Sequence, residues 1–257
     1  MAGLDDFLGA APLWLVGALL LAALVLAALA GRWVRLTYAA DPRPESPDSY
    51  LLSTALALLG LLIAFTFSLA VARYDDRREA VIREGNAIGT AWLRAGLVAG
   101  SEGEALRDRL RGYADLRAAL PTAPDRRAVE AASARAQTAV WAAVRAALVR
   151  LEPPLGATLV NAANEMFDAA AARKAEREAR IPGRVLDVVS LYAVISAGIV
   201  GYVTARRGSL RPLLEAGVLF VLLTLALTLI LDLDRPWSGA ITISAAPVSE
   251  ARAAMGT

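Results

Sequence analysis

The sequence predicts an all-α integral membrane protein: four transmembrane helices in two pairs, with a helical extramembrane domain inserted between the second and third. Three observations carry this reading. Four apolar stretches, residues 13–30, 51–72, 185–203 and 213–231, each approach or exceed the roughly 20 residues that a helix needs to cross a bilayer. Charge avoids them: they hold only Asp187 and Glu215, each near the start of its stretch, while most charge lies between Arg73 and Arg184. The middle repeats apolar residues at helical spacing and shows no strand-like alternation.

Composition agrees and removes several classes of function. The chain of 257 residues is 57% hydrophobic with a mean hydropathy of +0.49, too apolar for one soluble domain with an ordinary surface. It contains no cysteine and no histidine. That excludes a disulfide framework, a thiolate- or imidazole-based zinc or haem site, and catalysis by either side chain. There is no phosphate-cradling glycine loop, metal-ligand spacing or nucleophile–base arrangement. Neither an enzyme nor a cofactor is expected. The net charge of +2 and isoelectric point of about 9.2 suit an Arg-rich membrane protein, and nucleic acid is not an expected partner.

The first stretch reads as an uncleaved helix rather than a signal peptide. Asp5 and Asp6 precede it in place of Lys or Arg, and it exceeds a typical signal core. The second runs into Arg73-Tyr74-Asp75-Asp76-Arg77-Arg78 with no Pro, and no further Gly until Gly85, so one helix should leave the membrane and continue into water. There Val81, Ile88, Trp92 and Ala95 recur at helical spacing. A second amphipathic helix carries Leu106, Leu110, Tyr113 and Leu116 and stops near Pro121 and Pro124. A third carries Val129, Ala136, Val140, Val144, Leu148 and Leu151 and is expected to end at Pro153-Pro154. A fourth, with Leu159, Ala163, Met166, Phe167 and Ala170, ends before Pro182-Gly183. The domains are thus 1–72, 73–184 and 185–231, with a tail, 232–257, packing on the soluble domain. Within the tail, residues 240–244 alternate as a short extended segment would, and residues 248–255 form an amphipathic turn or two.

Orientation is balanced. The short loops 31–50 and 204–212 carry three Arg each, which would place them in the cytoplasm; the denser clusters flanking the middle domain argue the opposite.

Ala57, Leu61, Phe65 and Ser68 share one face of the second helix. In an oligomer this face could ring a pore gated by dewetting, with Arg73 and Arg77 as a basic vestibule that concentrates anions. Packing on lipid with an ordinary charged collar is the plainer reading of the same residues. Asp232, Asp234 and Arg235 read as a structural lock holding the tail to another helix. Glu84 and Asn86 beside Gly85 and Gly89 mark a close helix contact or a binding point.

The run Gly60-Leu61-Leu62-Ile63-Ala64-Phe65-Thr66-Phe67-Ser68, then Arg73-Tyr74-Asp75, then Glu84-Gly85-Asn86-Ala87-Ile88-Gly89-Thr90-Ala91-Trp92-Leu93-Arg94, resembles the bacterial bestrophin-like membrane proteins. Asp232-Leu233-Asp234-Arg235-Pro236, with Gly239 and Ile241-Thr242-Ile243, is similar to the end of that family. The resemblance covers about residues 51–255. It implies a four-span subunit of a homo-oligomeric ring in a bacterial inner membrane, with a pentamer as the candidate size. It further implies small ions as cargo, a pore lined by the second helix, and a cytosolic helical domain with both termini inside. Phe65 and Arg73 stand at a separation comparable to a Phe and an Arg of true bestrophins. Thr66 replaces the Arg that usually follows that Phe, and the paired Asn are missing, with Ser68 alone in their place. The permeant ion is therefore not carried over. A non-conducting scaffold that binds a partner through the helical domain is the alternative.

Overall fold

The computed structural model describes residues 11–38, 48–206, 209 and 211–256. Asp5, Asp6, Arg43 and Arg207, used above for topology, lie outside them. Eight helices are present among the described residues: α1 (Leu13–Tyr38), α2 (Asp48–Ala95), α3 (Gly100–Ala119), α4 (Arg126–Leu148), α5 (Pro153–Glu178), α6 (Gly183–Val203), α7 (Arg211–Asp234) and α8 (Ala246–Ala253). The only pairing of extended backbone among these residues is an isolated bridge between Arg206 and Ser209. Residues 241–245 are irregular rather than a strand. The fold is all-α, with four helices long and apolar enough to cross a membrane.

The chain divides into two compact units, Met1–Arg73 with Arg180–Ile241, and Tyr74–Ala179 with Thr242–Thr257. In the first, α1 packs on α6 and α7. It outruns its apolar stretch because Arg32, Trp33, Arg35 and Tyr38 remain helical. Trp33 meets Tyr38 edge-on at 5.8 Å, and Arg35 lies 4.9 Å over the Tyr202 ring, the residue types that anchor a helix at a membrane interface. Where α1 crosses α6, a Cβ on Gly201 would overlap the Ala28 backbone, and one on Gly31 the Gly198 carbonyl. Lipid tails supply no hydrophobic drive between helices, so close backbone approach through small residues carries this contact.

In the second unit α3 packs on α4 and α8, and α4 on α5. Its core gathers Ile88, Leu106, Leu110, Val140, Met166 and Val248, and Phe167 sits edge-on to Tyr113 and Trp141. Asp125 caps α4 by accepting from the Ala128 amide at 3.0 Å. The helix of Val140 and Val144 ends at Leu148, and Pro153-Pro154 opens α5 instead of closing α4. Proline lacks the amide hydrogen that a first helical turn cannot use anyway, so it suits a start as well as a stop.

Candidate functional site

The site is built on α2. Its 48 residues span about 72 Å at 1.5 Å per residue. At about 100° per residue, one side stays buried along its length. That side carries Leu59, Thr66, Ala70, Arg77, Glu84, Ile88 and Ala95, none more than 4% exposed. The opposite side carries Ala57, Leu61, Ser68, Ala72, Asp75, Glu79 and Asn86, all exposed, with Phe65 and Asp76 at its edge. Leu61 and Phe65 are 50% and 66% exposed, and Leu93 near the far end 73%. The four expected pore residues, Ala57, Leu61, Phe65 and Ser68, therefore all lie on the open side of the helix. A lipid-packed helix would show the same exposure.

Thr66, which stands where bestrophins usually carry Arg, turns to the buried side and donates its hydroxyl to the Leu62 carbonyl at 2.7 Å. Of the expected basic vestibule, Arg77 shares that side at 4% exposed, and Arg73 is half-buried; both are engaged in polar interactions. The exposed charges of these turns are Asp75, Asp76 and Glu79, with Arg78 and Arg83 at the edges of the same side. Glu79 is paired with Arg83 one turn on, at 2.5 Å.

Eleven positions beyond Arg73, Glu84 is fully buried between two guanidiniums. Arg117 of α3 donates from Nε to one carboxylate oxygen, and Arg173 of α5 donates from Nη1 to the other at 2.5 Å. Beside them Arg177 is paired with Glu130, and the Tyr113 hydroxyl accepts from the Gln137 amide nitrogen at 3.4 Å. Burial tends to lower the Arg117 pKa, but the Glu84 carboxylate outweighs it and holds the guanidinium above its ordinary value. Burial pushes the Tyr113 phenol up, and the nearby arginines only partly offset it. Next along α2, a Cβ on Gly85 would stand 2.6 Å from the Pro247 carbonyl oxygen. The expected close approach therefore occurs at Gly85. Gly89 has open space around it.

Sequence reading did not find Arg117 and Arg173. The signal was present in their phase: Arg117 continues the stripe of Leu106, Leu110 and Tyr113, and Arg173 that of Leu159, Met166 and Ala170. A charged residue in register with an apolar stripe enters the core, where it needs a partner.

Asp232, Asp234 and Arg235 are each no more than 7% exposed. Asp232 accepts from the Ala240 amide at 3.0 Å and from Ile241 at 3.2 Å. Asp234 accepts from the Ile181 amide at 2.9 Å, joining the end of α7 to the segment that leads into α6. The two carboxylates thus bind backbone donors. No group of acidic side chains with metal-binding spacing occurs among the described residues.

A family model, the Bestrophin-like domain, matches residues 17–248. Crystal structures of a bacterial bestrophin homologue from Klebsiella pneumoniae share the fold. A point-mutant form superposes with a TM-score of 0.66 at 12% identity, covering 92% of this chain and 96% of that one. Another, phased on zinc, gives 0.63 at 12% identity over 95% and 96%. A crystal structure described only as a membrane protein gives 0.66 at 12% identity over 93% and 97%. Comparison with curated proteins returns no match.

Proposed function

This chain belongs to the bestrophin-like family, and from that membership we propose that it is one subunit of a homo-oligomeric ion channel whose α2 lines the pore. The observation that carries the reading is the open side of α2, which continues from Ala57 past the end of the apolar stretch to Leu93. In a ring of subunits, five being the candidate number, these sides would converge on one axis. Leu61 and Phe65 form the constriction, where apolar rings close a pore by expelling water. Ala57 and Ser68 line it above and below. Arg73 and Arg77 act on the vestibule from within its wall. On the exposed turns beyond the apolar stretch Asp75, Asp76 and Glu79 outnumber Arg78 and Arg83, so the lumen favours small cations. The protein is a multi-pass membrane protein. Its proposed place is the bacterial inner membrane, with the helical unit and both termini cytoplasmic. Asp232, Asp234 and Arg235 fasten the end of α7 and have no part in conduction.

The test is current across a planar bilayer containing the purified protein, with Leu61→Ala and Phe65→Ala alongside. Currents altered by either substitution support the pore assignment. Silence in all three, with the protein inserted and folded, refutes it and favours a scaffold.

A further inference from the structure

We infer that Glu84 is a positioning residue: it fixes the rotation of α2 about its own axis, and so decides which face of that helix meets the lumen. The inference rests on the reading that α2 lines the pore. Glu84 touches no permeating ion, because it lies on the opposite side of the helix and is fully buried.

Two adjacent positions set the angle. At Glu84 the two carboxylate oxygens are divided between guanidiniums from two different helices, Arg117 of α3 and Arg173 of α5. A carboxylate with one partner can swing around it. One held from two helices is triangulated. Turning α2 by a single residue, about 100°, would withdraw the carboxylate from both arginines and leave buried ions apart in a low-dielectric core. At Gly85 the constraint is steric, since the Pro247 backbone occupies the space a side chain would need. The same turn would drive a neighbouring side chain into that space. One position requires its partners and the next requires its emptiness, and one rotation satisfies both. No Gly or Pro falls between Leu61 and Glu84, so this stretch of α2 lacks the two residues at which helices most often kink.

The chain has no cysteine, so a single introduced thiol takes a single label. Ala64→Cys and Ala72→Cys place nitroxides about 80° apart around α2, both on its exposed side. The full chain in bilayers is then read by collision with oxygen, which concentrates in lipid, and with a water-soluble nickel chelate. Glu84→Gln and the apolar triple variant Glu84→Leu, Arg117→Met, Arg173→Met are compared with the parent. The triple variant removes the clamp without stranding a charge, so the comparison stands even where Glu84→Gln does not fold. A rotated helix moves the two labels in opposite directions, one gaining contact with a collision partner as the other loses it. Glu84→Asp, which keeps both pairings within reach, restores the parent pattern. Labels that stay unchanged, or shift in the same direction as a loosened helix would, overturn the inference. Parent labels that meet oxygen and not the nickel chelate refute the pore reading separately, while the comparison between variants still judges the clamp.

Discussion

Glu84→Gln changes one atom, and its cost can be worked from the structure. Glu84 is 0% exposed, and the side chains of Arg117 and Arg173 are 6% and 7% exposed. Glutamine retains one carbonyl oxygen, which can serve one of the two guanidiniums. It offers an amide N–H donor to the other, which then lacks an acceptor. The negative charge that neutralised the pair is lost as well. Removing one partner from a buried ion pair costs about 3–5 kcal/mol, against a total stability of about 5–15 kcal/mol for a typical domain. The midpoint of thermal unfolding should fall by on the order of 10 °C. Trp92 and Trp141, packed against the core of the helical unit, report that transition by fluorescence. The apolar triple variant should recover most of the loss, because well-packed apolar replacements of buried ion pairs are often neutral or better. A midpoint for Glu84→Gln within a degree or two of the parent would refute the reasoning. So would a triple variant as unstable as the single one, since stranded charge would then not be the cause.

Gly85→Ala should destabilise through the clash with Pro247, whereas Gly89→Ala, with no neighbour near its Cβ, should leave stability unchanged or raise it by up to about 1 kcal/mol of helix propensity; thermal unfolding of the pair checks both. Burial raises the Tyr113 phenol pKa, so the unfolded chain releases that proton first, near its ordinary value of about 10. Stability is therefore intact below about pH 10 and falls as pH rises toward the folded pKa; urea titrations at stepped alkaline pH should show this limb shrink in Tyr113→Phe. Asp75→Asn with Asp76→Asn should move the reversal potential under a salt gradient toward that of a non-selective pore, and a shift toward cations would contradict the lumen assignment.

What could be read from the chain alone divides along physical lines. The spans were legible because continuous apolar runs have one common use. The shared face of Ala57, Leu61, Phe65 and Ser68 followed from helical arithmetic. What covers that face is not encoded in any local pattern. The Pro153 boundary was misplaced because proline ends and begins helices with equal ease. Gly85 was marked as a point of close approach, but Pro247 as the backbone that approaches it lies on a distant segment. Arg73 and Arg77 read as one basic collar because they are near in sequence. Four residues turn a helix by about 400°, a net 40°, so both arginines lie toward the buried side of α2, Arg77 at its centre and Arg73 at its margin, and neither stands on the open face.

The same distinction bears on how α2 acquires a defined face. Inside a bilayer an apolar helix has little to orient it, since lipid tails are as apolar as its own Leu and Ala side chains. Between residues 51 and 72 the polar side chains are Ser53, Thr54, Thr66 and Ser68, and the hydroxyls of Thr54 and Thr66 bond back to their own helix. The apolar section of α2 therefore offers few polar groups to specify which residues face a lumen. Past Arg73 the same helix enters a core where a misplaced charge costs several kcal/mol, and there Glu84 and Gly85 accept one angle. A helix without a break carries that angle back to Ser68 and Phe65. Under the proposed reading of α2 as the pore lining, the specificity of that face is set about 24 Å away along the helix, in the unit where polar groups can be made to matter.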